Sequence, residues 1–146
     1  MQREDVIPSI VLSAYALGRI AAQDAGNDAP AAQWRVLSLL DQSGTARVGE
    51  LATASRTTQP GMTRLLGVLE RDGLIGRSPD PSDSRAVVVD ITPAGSAALA
   101  DWRAEFRSVL APRFTSLDDE DWAAITRTAE ILAAHTAIAD RKDAQQ

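Results

Sequence analysis

Covalent chemistry has few side chains to draw on in this chain. Its 146 residues include no cysteine and a single histidine, His135. That count excludes disulfides, thiolate zinc sites, cysteine nucleophiles and thiol-based redox sensing. A lone histidine would need carboxylates alone to complete a metal shell. No metal site and no cofactor are therefore expected, and His135 suits a surface or seam position. No Gly-rich phosphate loop and no motif around a nucleophile is present, so an enzyme is not expected. What remains is contact chemistry, and it concentrates in one stretch. Beyond Thr58, helical spacing puts Pro60, Arg64, Gly67 and Arg71 on one side, flanked by Gly61 and Thr63. Small residues and arginines leave a face that another molecule can approach closely. Farther on, Arg85 closes the segment PDPSDSR, residues 79–85, with Asp83 just before it. Two prolines and polar turn formers there predict a hairpin tip that projects and packs against nothing.

Those residues need elements to hold them. Met62, Leu65, Leu66 and Leu69 recur at i, i+3, i+4 and i+7, which predicts a helix over residues 58–71 with one buried face. Thr58 is its N-cap, with Gln59 and Pro60 in the first turn, and Asp72-Gly73 ends it. A short helix over residues 47–54 precedes it, with Val48, Leu51 and Ala52 facing inward. Strands are predicted at 74–78 and 86–91, the second rich in β-branched residues. Upstream lie two helices, residues 6–22 and 30–43. Gly26, Asn27 and Asp28 separate them, and Pro30 sits at the start of the second, which carries Trp34, Leu37 and Leu40 on a stripe. Downstream, Thr92-Pro93 opens a long helix with Leu99, Trp102, Phe106, Val109 and Leu110 down one side. Pro112 should kink or end it. Asp118 or Ser116 caps a last helix with Trp122, Ile125 and Leu132 at helical spacing, and the tail ADRKDAQQ should fray.

The apolar stripes of the first and last helices have too little of their own chain to pack against. A homodimer with these arms as its seam is the expected remedy, one arm being about residues 1–25 and the other about 95–140. The remainder, about residues 30–92, forms a compact lobe within a single domain. Aromatics are only 4% of the chain, so aliphatic residues and Ala must fill the core. The N-terminal residues carry acids and no long apolar run, so no secretory signal is expected. No uninterrupted apolar stretch reads as long enough to span a bilayer, and a cytoplasmic protein without membrane contact is expected.

A net charge of −5 argues at first against nucleic acid. Its distribution weakens the objection. Residues 1–46 carry 3 basic and 5 acidic side chains, residues 93–146 carry 6 and 9, and residues 47–92 balance at 6 and 6. All six basic residues of that middle third are Arg, and a few placed arginines are enough for a footprint.

The middle of the chain resembles the MarR family. Residues 50–95 carry the family pattern without a gap: Glu50-Leu51-Ala52, Thr63-Arg64, Leu69-Glu70-Arg71-Asp72-Gly73-Leu74-Ile75, Asp83-Ser84-Arg85 and Thr92-Pro93-Ala94-Gly95. QWRVLSLL, residues 33–40, is similar to the family's second helix. The fold so implied is mainly α with a small β-hairpin wing: a winged helix-turn-helix flanked by N- and C-terminal dimerisation helices. The resemblance also implies a partner, double-stranded DNA. Residues 58–71 would enter the major groove as the recognition helix. Gln59, Gly61 and Thr63 occupy positions where such proteins meet base edges, and Thr58 just before them is expected among the DNA-binding residues. Arg64 matches the family's backbone-binding Arg, and Arg85 its wing-tip Arg for the minor groove. Asp83 would pair with Arg85 and hold it extended. Two departures stand at Ser55-Arg56, where the family has an apolar residue and then Gly, and at Thr57, where it has an aliphatic; a looser turn is expected, with Arg56 a candidate phosphate contact.

Family members often bind phenolic or carboxylate compounds between the arms and the lobe. Tyr15, Arg19 and Trp34 are the candidates here for a small aromatic or anionic effector; Trp34, Trp102 and Trp122 could line its pocket, against a core or dimer-seam role at helical spacing. Arg77 suits a strand-edge role or a phosphate contact equally. The functional expectation is a sequence-specific transcription regulator, a repressor that binds a pseudo-palindromic operator as a homodimer and is released by an effector. The alternative is a winged-helix interaction scaffold that does not bind DNA.

Overall fold

The core forms where the helical stripes meet the β-branched run. In the computed structural model, which describes residues 1–25 and 31–136, the order of elements is α1 (Arg3–Asp24), α2 (Ala31–Ser43), β1 (Thr45–Arg47), α3 (Val48–Ala54), α4 (Gln59–Arg71), β2 (Ile75–Asp80), β3 (Asp83–Ile91), α5 (Pro93–Leu110), a 3-10 turn (Ala111–Phe114) and α6 (Asp119–Thr136). The sheet is antiparallel with strand order β1-β3-β2. This is the expected winged helix-turn-helix with helical arms. The predicted break at Gly26–Asp28, the start at Pro30 and the tail ADRKDAQQ lie outside the described residues.

Leu37 and Leu40 of α2, Leu51 of α3, Met62, Leu66 and Leu69 of α4, Val89 of β3 and Leu99 of α5 are fully buried together. The α4 stripe thus faces inward as its spacing predicts, with Leu65 half-buried at its margin. Val48 is likewise half-buried beside the buried Leu51 and Ala52. The arms differ sharply. Ala21 is the one buried residue of α1, and α6 has none. Trp122, Ile125 and Ile131 on α6 and Ile7, Val11 and Leu12 on α1 stand exposed.

A close approach joins the lobe to its downstream arm. The Thr92 hydroxyl caps α5 by accepting from the Gly95 N–H at 3.0 Å, and it donates to the Gly73 carbonyl at 2.6 Å. Gly73 turns the chain out of α4 at φ +75°, a left-handed conformation that glycine adopts without steric cost. A Cβ on Gly95 would lie 2.0 Å from the Leu74 carbonyl oxygen, well inside contact distance. The Thr-x-x-Gly spacing therefore has a steric reason: only a bare Cα lets α5 start this close to β2. At the far end α5 stops at Leu110 and Pro112 falls in the 3-10 turn, as a missing N–H requires. Asp118, rather than Ser116, caps α6 through the Asp121 N–H at 2.9 Å.

Four expectations need correction. Helix α1 begins at Arg3, before the expected Val6, and carries Pro8 near its start. A third strand, β1, pairs with β3 through Thr45↔Asp90, Ala46↔Val89 and Arg47↔Val88. The hairpin strands run farther than predicted, to Asp80 and from Asp83, so the tip shrinks to Pro81-Ser82. Pro79 is tolerated because β2 is an edge strand. Finally, α1 is long and apolar enough by length and composition to cross a membrane, although Arg19 interrupts it. It packs here against α5.

Candidate nucleic-acid interface

Helix α4 presents the first half of the site. Thr58 caps it as predicted, its hydroxyl accepting from the Gly61 N–H at 3.2 Å. Gln59, Pro60, Thr63 and Arg64 are exposed and line one open depression on its outer face. The Thr63 hydroxyl donates to the Gln59 carbonyl at 2.9 Å. Its proton is therefore used within the helix, leaving the oxygen lone pairs and the methyl group for a partner. A Cβ on Gly61 would lie 3.0 Å from Thr58 Oγ1 and 3.1 Å from Thr57 Cγ2. Glycine here makes room for the cap and for the threonine behind it.

The turn between α3 and α4 is closed rather than loose, which corrects the expectation from Ser55-Arg56-Thr57. The Thr57 N–H donates to the Ala52 carbonyl at 2.9 Å, and the Ser55 N–H to the Leu51 carbonyl at 3.0 Å. Closure needs a left-handed residue after α3, and Arg56 takes it at φ 51°. A non-glycine residue there costs on the order of 1 kcal/mol. Ser55 is buried in the apolar position, and its Oγ has no hydrogen-bond partner among the described residues.

The wing presents the second half. Asp83 does hold Arg85, but not by pairing with its guanidinium. Its Oδ1 accepts from the Arg85 backbone N–H at 3.0 Å, the local geometry a short Asp side chain favours two residues on. Nor does the tip pack against nothing. Asp80, only 4% exposed, pairs with Arg47 at 2.7 Å and accepts from the Ser82 hydroxyl and N–H at 2.8 and 2.9 Å.

The six arginines of residues 47–92 divide cleanly. Arg47 is tied to Asp80 and Arg77 to Glu70, so Arg77 fastens β2 to α4. Arg56, Arg64, Arg71 and Arg85 are exposed and have no ion pair among the described residues. The two that the family resemblance assigns to DNA, Arg64 and Arg85, both belong to the unpaired set.

A separate cavity of about 570 Å³ lies between the arms and the lobe. Tyr15 and Arg19 of α1 and Trp34 of α2 all line it, so the structure brings the three effector candidates together. The Trp34 indole is 7% exposed and stacks on Trp102 at 5.3 Å, and Trp102 meets Phe106 at 4.5 Å. Trp34 is thus a core residue and a wall of the cavity at once. Arg35 adds a second cation that the sequence reading passed over. Trp122 lies apart, against Phe114.

A profile of the MarR family matches residues 30–87. The HTH-type transcriptional repressor IacR of Pseudomonas putida is 25% identical over 100 residues, which is 68% of this chain and 60% of IacR, so the match spans less than two thirds of that relative. A MarR family protein from Bacillus stearothermophilus superposes with a TM-score of 0.70 at 22% identity, over 92% of this chain and 97% of that one. BpsR of Bordetella bronchiseptica, described as a protein whose DNA binding is regulated by 6-hydroxynicotinic acid, gives 0.61 at 22% identity, over 91% and 96%. At such identities the structures show a shared fold.

Proposed function

We propose that this chain is a transcriptional regulator of the MarR family, which represses transcription as a homodimer on a pseudo-palindromic operator and is released by a small aromatic anion. One observation carries the proposal. Arg64 on the recognition helix and Arg85 on the wing are left without ion pairs among the described residues, while Arg47 and Arg77 are committed to the fold. A guanidinium without a protein partner is ready for phosphate oxygens or the negative potential of a narrow minor groove.

Roles follow from the geometry. Gln59 offers an adenine two hydrogen bonds. Thr63, its proton already engaged, accepts from an exocyclic amine or lays its methyl against thymine. Arg64 grips the backbone and Arg85 enters the minor groove. Thr58 and Gly61 hold the first turn in shape rather than read bases. Two lobes joined by α1, α5 and α6 would place their recognition helices about one duplex turn apart. The exposed apolar stripes of α1 and α6 are the support for that seam.

The cavity supplies the release step. Stacked aromatic walls suit a flat ring, and Arg19 and Arg35 suit a carboxylate or phenolate on it. Because the cavity is lined by both arm and lobe, a ligand that fits one arm–lobe angle better shifts the spacing of the two recognition helices. A regulator of this kind works where the chromosome is, in the cytoplasm. The scaffold reading keeps only the net charge of −5 in its favour and gives no use to Arg64 and Arg85.

The test is binding of the purified protein to DNA upstream of its own gene, at two salt concentrations, against a scrambled duplex. Preferential binding that weakens steeply with salt is the expected result. Equal binding to both duplexes, there and across fragments of the whole genome, would overturn it.

A further inference from the structure

We propose that Arg47 and Asp80 are positioning residues for DNA binding: their ion pair fastens the wing tip to the helix-turn-helix, so that Arg85 and the recognition helix meet the duplex as one rigid body. The proposal rests on the DNA-binding reading above.

The wing cannot aim Arg85 by its ladder alone. The β2·β3 register runs regularly as far as Pro79↔Val87 and then slips, with Asp80 opposite Asp83. Residues 84–86 have no partner in that register, and Arg85 lies among them. An irregularity of this kind re-aims side chains, but something else must then fix the new direction. A run of hydrogen bonds does so here. Asp83 accepts from the Arg85 N–H at 3.0 Å, and the adjoining Ser82 gives both its N–H and its hydroxyl to Asp80 Oδ1. The other oxygen, Asp80 Oδ2, accepts from Arg47 Nε at 2.8 Å and Nη2 at 2.7 Å. Arg47 is itself fixed twice. It pairs with Val88 in the sheet, and its N–H donates to Glu50 at the start of α3. The first helix of the helix-turn-helix is thereby linked to the tip through one carboxylate.

Burial gives the link its force. Asp80 is 4% exposed while Pro81, Ser82, Asp83, Ser84 and Arg85 around it are all exposed. A carboxylate is withdrawn from water only where its partners satisfy it, and Arg47, its own side chain 39% exposed, supplies the opposite charge. The forked guanidinium also fixes an angle, which a single point charge would not. A wing ordered in advance loses less freedom when it docks, so the gain appears in affinity.

The experiment uses the full chain and a duplex selected by the parent protein from a random-sequence pool. Four proteins are compared: the parent, Asp80→Asn, Arg85→Ala and the double variant. Asp80→Asn is expected to weaken binding about 10-fold in the parent background but less than about 2-fold where Arg85 is already Ala, because the lock acts through that arginine. A loss of equal size in both backgrounds, or no loss, overturns the proposal. Arg47→Lys, which keeps the charge but not the fork, is measured in the same two backgrounds. It should give an intermediate loss, again confined to proteins that retain Arg85, and it carries the test if Asp80→Asn does not fold. If the parent selects no duplex at all, the DNA-binding reading fails first, which separates the two failures.

Discussion

Helix α4 and helix α6 are built from the same kinds of residue at the same spacing, yet they end in opposite states. The α4 residues Met62, Leu66 and Leu69 are completely buried in one core cluster with residues of α2, α3 and the sheet. The α6 residues Trp122 and Ile125 remain 46% and 44% exposed. Helix α1 repeats the α6 pattern. Periodicity states which face must be covered, but not whether the same chain will cover it. In the lobe, elements on both sides of α4 in sequence return to it. Among the described residues α1 packs against α5 yet leaves Ile7, Val11 and Leu12 exposed, and α6 buries no residue; a second chain is the cover proposed for both.

That contrast can be broken by substitution. The largest effect is expected at the joint between lobe and arm. Gly95→Ala places a methyl group 2.0 Å from the Leu74 carbonyl oxygen, so the backbone of α5 or β2 must move. A loss of about 3 kcal/mol or more is expected in thermal or urea unfolding, enough to leave the lobe marginal. Next comes a matched pair. Leu66→Ala empties a fully buried site and should cost about 3 kcal/mol. Ile125→Ala should change thermal stability little at low protein concentration, where the monomer prevails, but should raise the dimer dissociation constant in sedimentation. Equal, concentration-independent losses for the two would mean that α6 is covered within its own chain. The smallest effect is at the cap. Thr58→Ala removes one acceptor from the Gly61 N–H and should cost about 1 kcal/mol, with the recognition helix fraying first in hydrogen exchange.

The sequence was most legible where information is local. The caps at Thr58, Thr92 and Asp118 needed only a side chain three residues ahead of an amide. The inward face of α4 needed only its own spacing. Strand β1 was missed because three residues carry no alternation, and its order comes entirely from β3, far along the chain. The tip was drawn too long because Pro79 and Pro81 read as loop, whereas an edge strand tolerates the first of them. No pattern could announce the Arg47–Asp80 pair, since neither residue signals the other across 33 positions. Tyr15, Arg19 and Trp34 were visible as residue types, but their sharing one cavity with Trp102 is a product of packing. At Ser55 and Arg56 the departure was legible and its consequence was not: the turn keeps its shape and carries strain instead.

The central claim is a division of labour, with DNA held by Arg64 and Arg85 and dimerisation held by the arms. The most direct measurement is the affinity of the Arg64→Ala/Arg85→Ala variant for a duplex selected by the parent, with its mass in solution determined alongside. The account predicts a loss of about 100-fold or more, a weaker dependence on salt and an unchanged dimer. Parent-like affinity with the dimer intact would contradict it.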